Sequence, residues 1–151
     1  MISAVIITYN EERIISRSID SLKRVVDEII IIDSFSTDRT IEICKEKGAV
    51  VWQNKFEGYK TQKHFAATKA KHEWILSVDA DEVLSNELIN SLLEWRKNHK
   101  YSNDLSSQPS QPAGYFVNRR TDYCGKWVNY GGWYPDRKVR GFNRNLGLWS
   151  G

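Results

Sequence analysis

A chain of 151 residues and 17.6 kDa, 40% hydrophobic and 27% charged, has the size and composition of one folded domain, not of a disordered segment. Its 22 Lys and Arg against 19 Asp and Glu leave a net charge of +3, too slight to mark a nucleic-acid binder. No apolar run approaches the ~20 residues of a membrane span. Two cysteines, Cys44 and Cys124, make neither a zinc site by themselves nor a secreted disulfide framework. The opening MISAVIITYNEER lacks the basic region and cleavage site of a signal peptide, so a reducing cytoplasm is expected.

In chain order, Ser3–Thr8 is short, apolar and β-branched, and it predicts a buried strand. Asn10 is the predicted cap of a first helix, with Glu11 and Glu12 in its first turn and Ile15, Ile19, Leu22 and Val26 at helical spacing. Glu28–Ile32, ending at Asp33, predicts a second strand. Ser36 or Thr37 then caps a helix carrying Ile41 and Cys44, which Gly48 stops. Ala49–Gln53 reads as a third strand, Tyr59–Ala70 as a helix, and Trp74–Val78 as a fourth strand running into Asp79-Ala80-Asp81. Ser85 caps a helix with Leu88, Leu92 and Trp95 on one face. Such alternation predicts an α/β fold with a parallel sheet covered on both faces, whose ligands bind beyond the carboxyl ends of the strands.

A polar segment at 99–113, rich in Ser, Pro and Gln, predicts an exposed loop. Beyond it, Gly114–Asn118 reads as β, and residues 119–144 are dense in Trp, Tyr, Gly and Arg, with seven Lys and Arg against Asp122 and Asp136. The expected organisation is a ligand-binding half at 1–98, the loop at 99–113, and a second part of the same domain at 114–151. The last residues, Leu148-Trp149-Ser150-Gly151, form neither a cap nor a polar tail, which predicts a truncated chain.

Asp79 and Asp81 carry the sharpest chemistry. In an extended segment residues i and i+2 face the same side, so both carboxylates can meet one hard cation, Mg2+ or Mn2+, that completes its shell with water and substrate phosphates. Against this stands a solvated acidic turn before a helix. Asp33, at the end of the four-isoleucine strand, is expected to accept hydrogen bonds from a base or ribose, while Ser36 and Thr37 are expected to do cap chemistry. Of the cations at 55–72, Lys63 is the one expected to reach a diphosphate; the others are a solvated helix face, and His64 is as compatible with packing as with binding.

The order ITYNEE, IIIIDSFSTDRT and WILSVDADE resembles the family 2 glycosyltransferases, over roughly residues 2–95, and GGWYPDRKVRGFNR resembles the lipopolysaccharide core glycosyltransferases among them. The resemblance implies a GT-A fold and a metal-dependent transfer from a nucleotide-diphospho-sugar to a saccharide or lipid-linked acceptor, normally with inversion. It implies that Thr8, Tyr9 and Glu11 line the nucleobase pocket, that Asp33 bonds the base, that Lys63 faces the diphosphate, and that Asp79, Ala80 and Asp81 form the metal-binding motif. Ser34-Phe35 departs from the more usual Asp-Gly, and Lys63-His64 from Arg-Asn. The general base lies well after the acidic motif in the family. Asp136 is the candidate within this chain, set against a turn residue paired with Arg137 or Arg140, and the true base is as readily sought beyond residue 151. The basic, aromatic segment 119–144 is expected to face the acceptor and, if that acceptor is lipid-linked, an anionic membrane surface. Two alternatives remain open: a nucleotidyltransferase, disfavoured because TYNEERI has no glycine-rich phosphate loop, and a nucleotide-binding module without turnover.

Overall fold

The structure is a computed structural model that describes residues 1–100 and 113–147. Four strands, β1 (Ile2–Thr8), β2 (Glu28–Asp33), β3 (Val50–Gln53) and β4 (Trp74–Asp79), alternate with helices α1 (Ile15–Leu22), α2 (Thr40–Glu46) and α3 (Tyr59–Lys69), and α4 (Asn86–Lys100) follows β4. After these come β5 (Gly114–Arg119), the small β6 (Thr121–Tyr123) and β7 (Lys126–Val128) hairpin, a 3-10 turn at Gly131–Trp133, and β8 (Asp136–Asn143). The main sheet has the order β3-β2-β1-β4-β8-β5, parallel from β3 through β4 and antiparallel where β8 joins β4 and β5. The predicted α/β fold with a mostly parallel sheet is the one observed.

Side chains alternate across this sheet, so the apolar strands feed two cores. Ala4, Ile6, Ile29, Ile31, Leu76 and Val78 pack with α1, α2 and α4 on one face. Val5, Ile30, Ile32 and Ile75 pack with Ala66 and Ala67 of α3 on the other. Ile6, Ile31 and Ile32 are fully buried. At about 25 cal/mol per Å2 of apolar surface, each such side chain contributes roughly 1.5–3 kcal/mol.

Two predicted caps are corrected. Asn10 does not start α1, which begins at Ile15, and Ser36 and Thr37 do not start α2, which begins at Thr40. These side chains tie the loops after β1 and β2 to each other. The Thr37 amide donates to Asn10 Oδ1 (2.8 Å), the Asn10 amide to Ser36 Oγ (2.8 Å), and the Glu11 amide to Thr40 Oγ1 (2.8 Å). The φ of 54° at Asn10 aims it across the gap, a conformation Asn tolerates better than most residues. Asp38, not Ser36, accepts from the first amide of α2 (Thr40 N, 3.0 Å). Ser85 caps α4 as expected, accepting from the Leu88 amide (3.2 Å). The predicted loop at 99–113 begins late, since residues 99–100 continue α4; positions 101–112 and 148–151 lie outside the described residues.

Candidate functional site

The parallel strands end along one edge, and their register decides what meets there. Thr8 pairs with Asp33 across β1 and β2, Asp33 with Gln53 across β2 and β3, and Ile7 with Asp79 across β1 and β4. A cleft of about 760 Å3 opens beyond this edge, lined by Thr8, Tyr9, Glu11, Asp79, Ala80 and Asp81 among others. Six of the predicted site residues therefore come together. The Thr8 hydroxyl oxygen is buried and has no hydrogen-bond partner among the described residues. An orphaned polar atom at a cleft wall costs about 1–3 kcal/mol unless something enters to pair with it.

Asp79, the last residue of β4, is held from two sides. Lys63 Nζ of α3 reaches its Oδ1 at 2.8 Å, and Arg140 Nη2 of β8 reaches its Oδ2 at 2.7 Å. Arg140 also donates to Glu82 Oε1, and Glu82 Oε2 accepts from the Asp79 amide (3.0 Å). Lys63 and Arg140 are both buried. Burial disfavours ionisation of Asp79, but the Lys63 ammonium and the Arg140 guanidinium outweigh it and hold the carboxyl below its usual range. Arg140 is held charged in the same way: burial opposes its charge, and Glu82 and Asp79 overcome that. Lys63 thus meets the cleft through Asp79.

Asp81 is different. It is exposed, and no described cation lies within ion-pair distance of it. Burial first, then the negative charges of Asp81 and Asp38, push the Glu11 carboxyl up. An uncompensated carboxylate that repels another across a cleft suits a hard divalent cation in its oxygen chemistry. Among the described residues no three His, Cys, Asp or Glu side chains converge on one point. A cation there would take its remaining ligands from substrate oxygens and water.

Asp33 sits behind the cleft wall. It is fully buried; its carboxylate accepts from the Ser36 amide (2.9 Å) and the Ser36 hydroxyl, with Gln53 Nε2 at 3.4 Å. Its neighbour Ser34 lines the cleft instead, accepting from Gln62 Nε2 (3.1 Å). Phe35, standing where the resemblance calls for Gly, adopts φ 63° and is exposed. Lys55, expected on a solvated helix face, instead lies in the loop after β3 and lines the cleft, while Lys63 does not; Phe56 of that loop and Tyr59, the first residue of α3, form another wall, their rings edge to face at 5.1 Å. The rule that ligands gather beyond strand ends applied to β3 as well and would have found them.

A second cleft of about 830 Å3 lies on the other side of Asp81, bounded by Arg17 of α1, Glu82, and residues of the β5–β8 region including Trp127, Trp133 and Asp136. Asp136 pairs with Arg119 (2.8 Å) and Lys138 (3.1 Å), not with Arg137 or Arg140. The hydrogen bond from Lys138, with Arg119 beside it and against a slight burial penalty, holds its carboxyl low. Of the aromatics in the 119–144 segment, Phe142 is in the core, whereas Trp127 and Trp133 are each 56% exposed.

The family model "Glycosyl transferase family 2" matches residues 3–148. The chain belongs to this family. It is 38% identical over 152 residues to the lipopolysaccharide core biosynthesis glycosyltransferase LpsC of Rhizobium meliloti, covering 97% of this chain and 50% of that one. It is 52% identical over 87 residues to an uncharacterized glycosyltransferase of Rickettsia bellii, covering 58% of this chain and 30% of that one. The family 2 chain described here thus spans half or less of the length of these relatives. Among solved structures it is similar to TarS of S. aureus, with a TM-score of 0.54 at 19% identity over 78% of this chain and 40% of that one. It is also similar to glucosyl-3-phosphoglycerate synthase of Mycobacterium tuberculosis in complex with Mn2+, UDP and phosphoglyceric acid, with a TM-score of 0.50 at 27% identity over 55% of this chain and 34% of that one. The fold is accordingly GT-A, as the motif order implied.

Proposed function

We propose that the first cleft binds a nucleotide-diphospho-sugar with Mg2+ or Mn2+, and that the second receives a saccharide or lipid-linked acceptor for an inverting transfer in cell-envelope or lipopolysaccharide core synthesis. The observation that carries this reading is the cleft at the strand ends, where the unpartnered Thr8 hydroxyl and the uncompensated Asp81 share one wall. That LpsC is a lipopolysaccharide core enzyme, and that the mycobacterial synthase binds UDP and Mn2+, supports the choice of substrate class.

Within this reading Thr8, Tyr9, Glu11, Ser34 and Phe56 surround the nucleoside, with Tyr9 and Phe56 offering ring faces to a base. Asp33 acts from behind by fixing the Ser34–Ser36 turn. Asp81, with Asp79 next to it, would hold the divalent ion, which when bound neutralises charge on the departing diphosphate. Lys63 and Arg140 keep Asp79 ionised, and Lys55, which lines the cleft, is the cation placed to face the diphosphate. The acceptor hydroxyl attacks the anomeric carbon, the bond to the diphosphate breaks, and the hydroxyl proton passes to a carboxylate base. The proposed enzyme works in the cytoplasm, peripherally on the inner membrane face; no helix among the described residues is long and apolar enough to cross a membrane.

Calorimetric titration with UDP, GDP, ADP and dTDP, with and without Mn2+, tests the donor site. One nucleotide should bind tighter with Mn2+, and Asp81→Asn should remove that increment. Mn2+-dependent binding that survives Asp81→Asn sinks the metal assignment, and no binding of any nucleotide sinks the donor reading.

A further inference from the structure

We infer that the second cleft is built for a saccharide bearing an anionic substituent, a phosphate or a carboxylate; this rests on the reading of that cleft as the acceptor side. The inference comes from which of its charges are already used. Glu82 is engaged by Arg140, and Asp136 by Arg119 and Lys138. Asp122 keeps its charge, with one oxygen held by the Gly125 amide of its own turn (2.8 Å). Asp81 faces the first cleft as well.

Two guanidiniums remain. Arg17 and Arg120 both line the cleft, and neither has a carboxylate within ion-pair distance among the described residues. They come from separate elements, α1 and the β5–β6 turn, so their approach is a property of the fold. Arg120 is oriented: its Nε donates to Asn129 Oδ1 (2.7 Å), and its guanidinium lies 5.2 Å from the centre of the Trp127 ring. Its remaining N–H donors are left to a planar or tetrahedral oxyanion, which guanidinium binds through paired hydrogen bonds.

The apolar half of the recognition is also present. Trp127 and Trp133 keep more than half of their surfaces open within the same cleft, and Trp133 is braced edge to face by Tyr123 at 6.3 Å. Exposed, oriented indoles offer flat faces to the C–H side of a sugar ring. Indoles for the ring and unpaired guanidiniums for a charged substituent together specify an anionic sugar over a neutral one.

The probes are D-glucose 6-phosphate, D-glucuronate and D-glucose, titrated into the full chain saturated with UDP and Mn2+. The two anionic sugars should bind at least tenfold tighter than glucose. The double variant Arg17→Gln/Arg120→Gln should erase most of that preference while leaving UDP affinity within about twofold, since neither residue lines the first cleft. A charge-assisted hydrogen bond lost at each position corresponds to roughly tenfold or more in affinity. Equal affinity for glucose and its phosphate overturns the inference, as does a preference that the double variant leaves intact. Flotation with phosphatidylglycerol vesicles is the third arm. Vesicle binding that needs Arg17 and Arg120, without selectivity among the sugars, assigns the two arginines to a lipid surface and also overturns it. UDP binding separates the two proposals: its absence alongside anionic selectivity counts against the donor reading alone, and its presence without selectivity counts against this inference alone.

Discussion

Arg140 shows how much of a site can rest on one side chain. It stands far from the acidic motif in sequence, yet it bonds both Asp79 and Glu82 and so fixes the turn that presents Asp81. Removing one member of a buried ion pair leaves a charge uncompensated, at about 3–5 kcal/mol. Here Lys63 still serves Asp79, whose side chain keeps 32% exposure, so Arg140→Gln should cost about 3 kcal/mol in a urea midpoint measurement, and Arg140→Lys less. Glu11 makes the opposite case. Its folded-state pKa is raised above the ordinary 4.5 by burial and by the charge of Asp81 and Asp38, so its stability contribution is complete at low pH and is lost as pH rises through the raised value. Glu11→Gln should therefore raise the melting temperature at pH 7 and leave it unchanged near pH 3; a gain of equal size at both values would show that the charge is not the cause. Asp79 and Asp81 were legible in the sequence because they directly follow an apolar strand, whereas Glu11 was placed at the site only by the family resemblance. Arg140 was not legible, because nothing in a run of Arg and Lys tells which one turns inward; β8 had first to be placed antiparallel beside β4.

At the scale of elements, β1, β2 and β4 were readable as short, largely apolar runs and α1 by apolar residues every three to four positions, whereas α3 carries little of that pattern. In the second half β5 was legible at 114–118, but β6, β7 and β8 were not told apart as strands, and two glycines bear on this. Gly114 pairs with Phe142 and Gly141 with Tyr115 across β5 and β8, and a Cβ on Gly114 would meet the Gly141 carbonyl oxygen at 2.8 Å. Such close backbone approach removes the alternation by which strands are recognised, and the register shifts between Tyr115 and Phe116. A bulkier anchor takes its place: Trp74 of β4, Trp95 of α4 and Tyr115 of β5 cluster with ring centres 4.8–5.3 Å apart. The loop after β3 depends on a glycine in another way. Gly58 has φ 124° and ψ 154°, with open space where a Cβ would go, so backbone strain alone excludes other residues. Gly58→Ala should cost about 1–3 kcal/mol and, by shifting Phe56 and Tyr59, weaken nucleotide binding; a variant equally unstable but with undiminished nucleotide affinity would remove those rings from the site.

For the molecule as a whole, Asp136 decides how much of the chemistry this chain contains. A carboxylate that Lys138 and Arg119 already hold ionised accepts a proton weakly. Asp136→Asn should therefore slow transfer by less than tenfold, where loss of the true base typically costs about 10²–10⁴. A drop of that larger size, with donor affinity intact, would make Asp136 the base. Asp81, meanwhile, stands in the walls of both clefts. In the proposed reading, a cation bound to it on the donor side would offset a negative charge that an anionic acceptor meets on the other. The two ligands are then linked thermodynamically: whatever factor the donor adds to acceptor affinity, the acceptor must return to donor affinity.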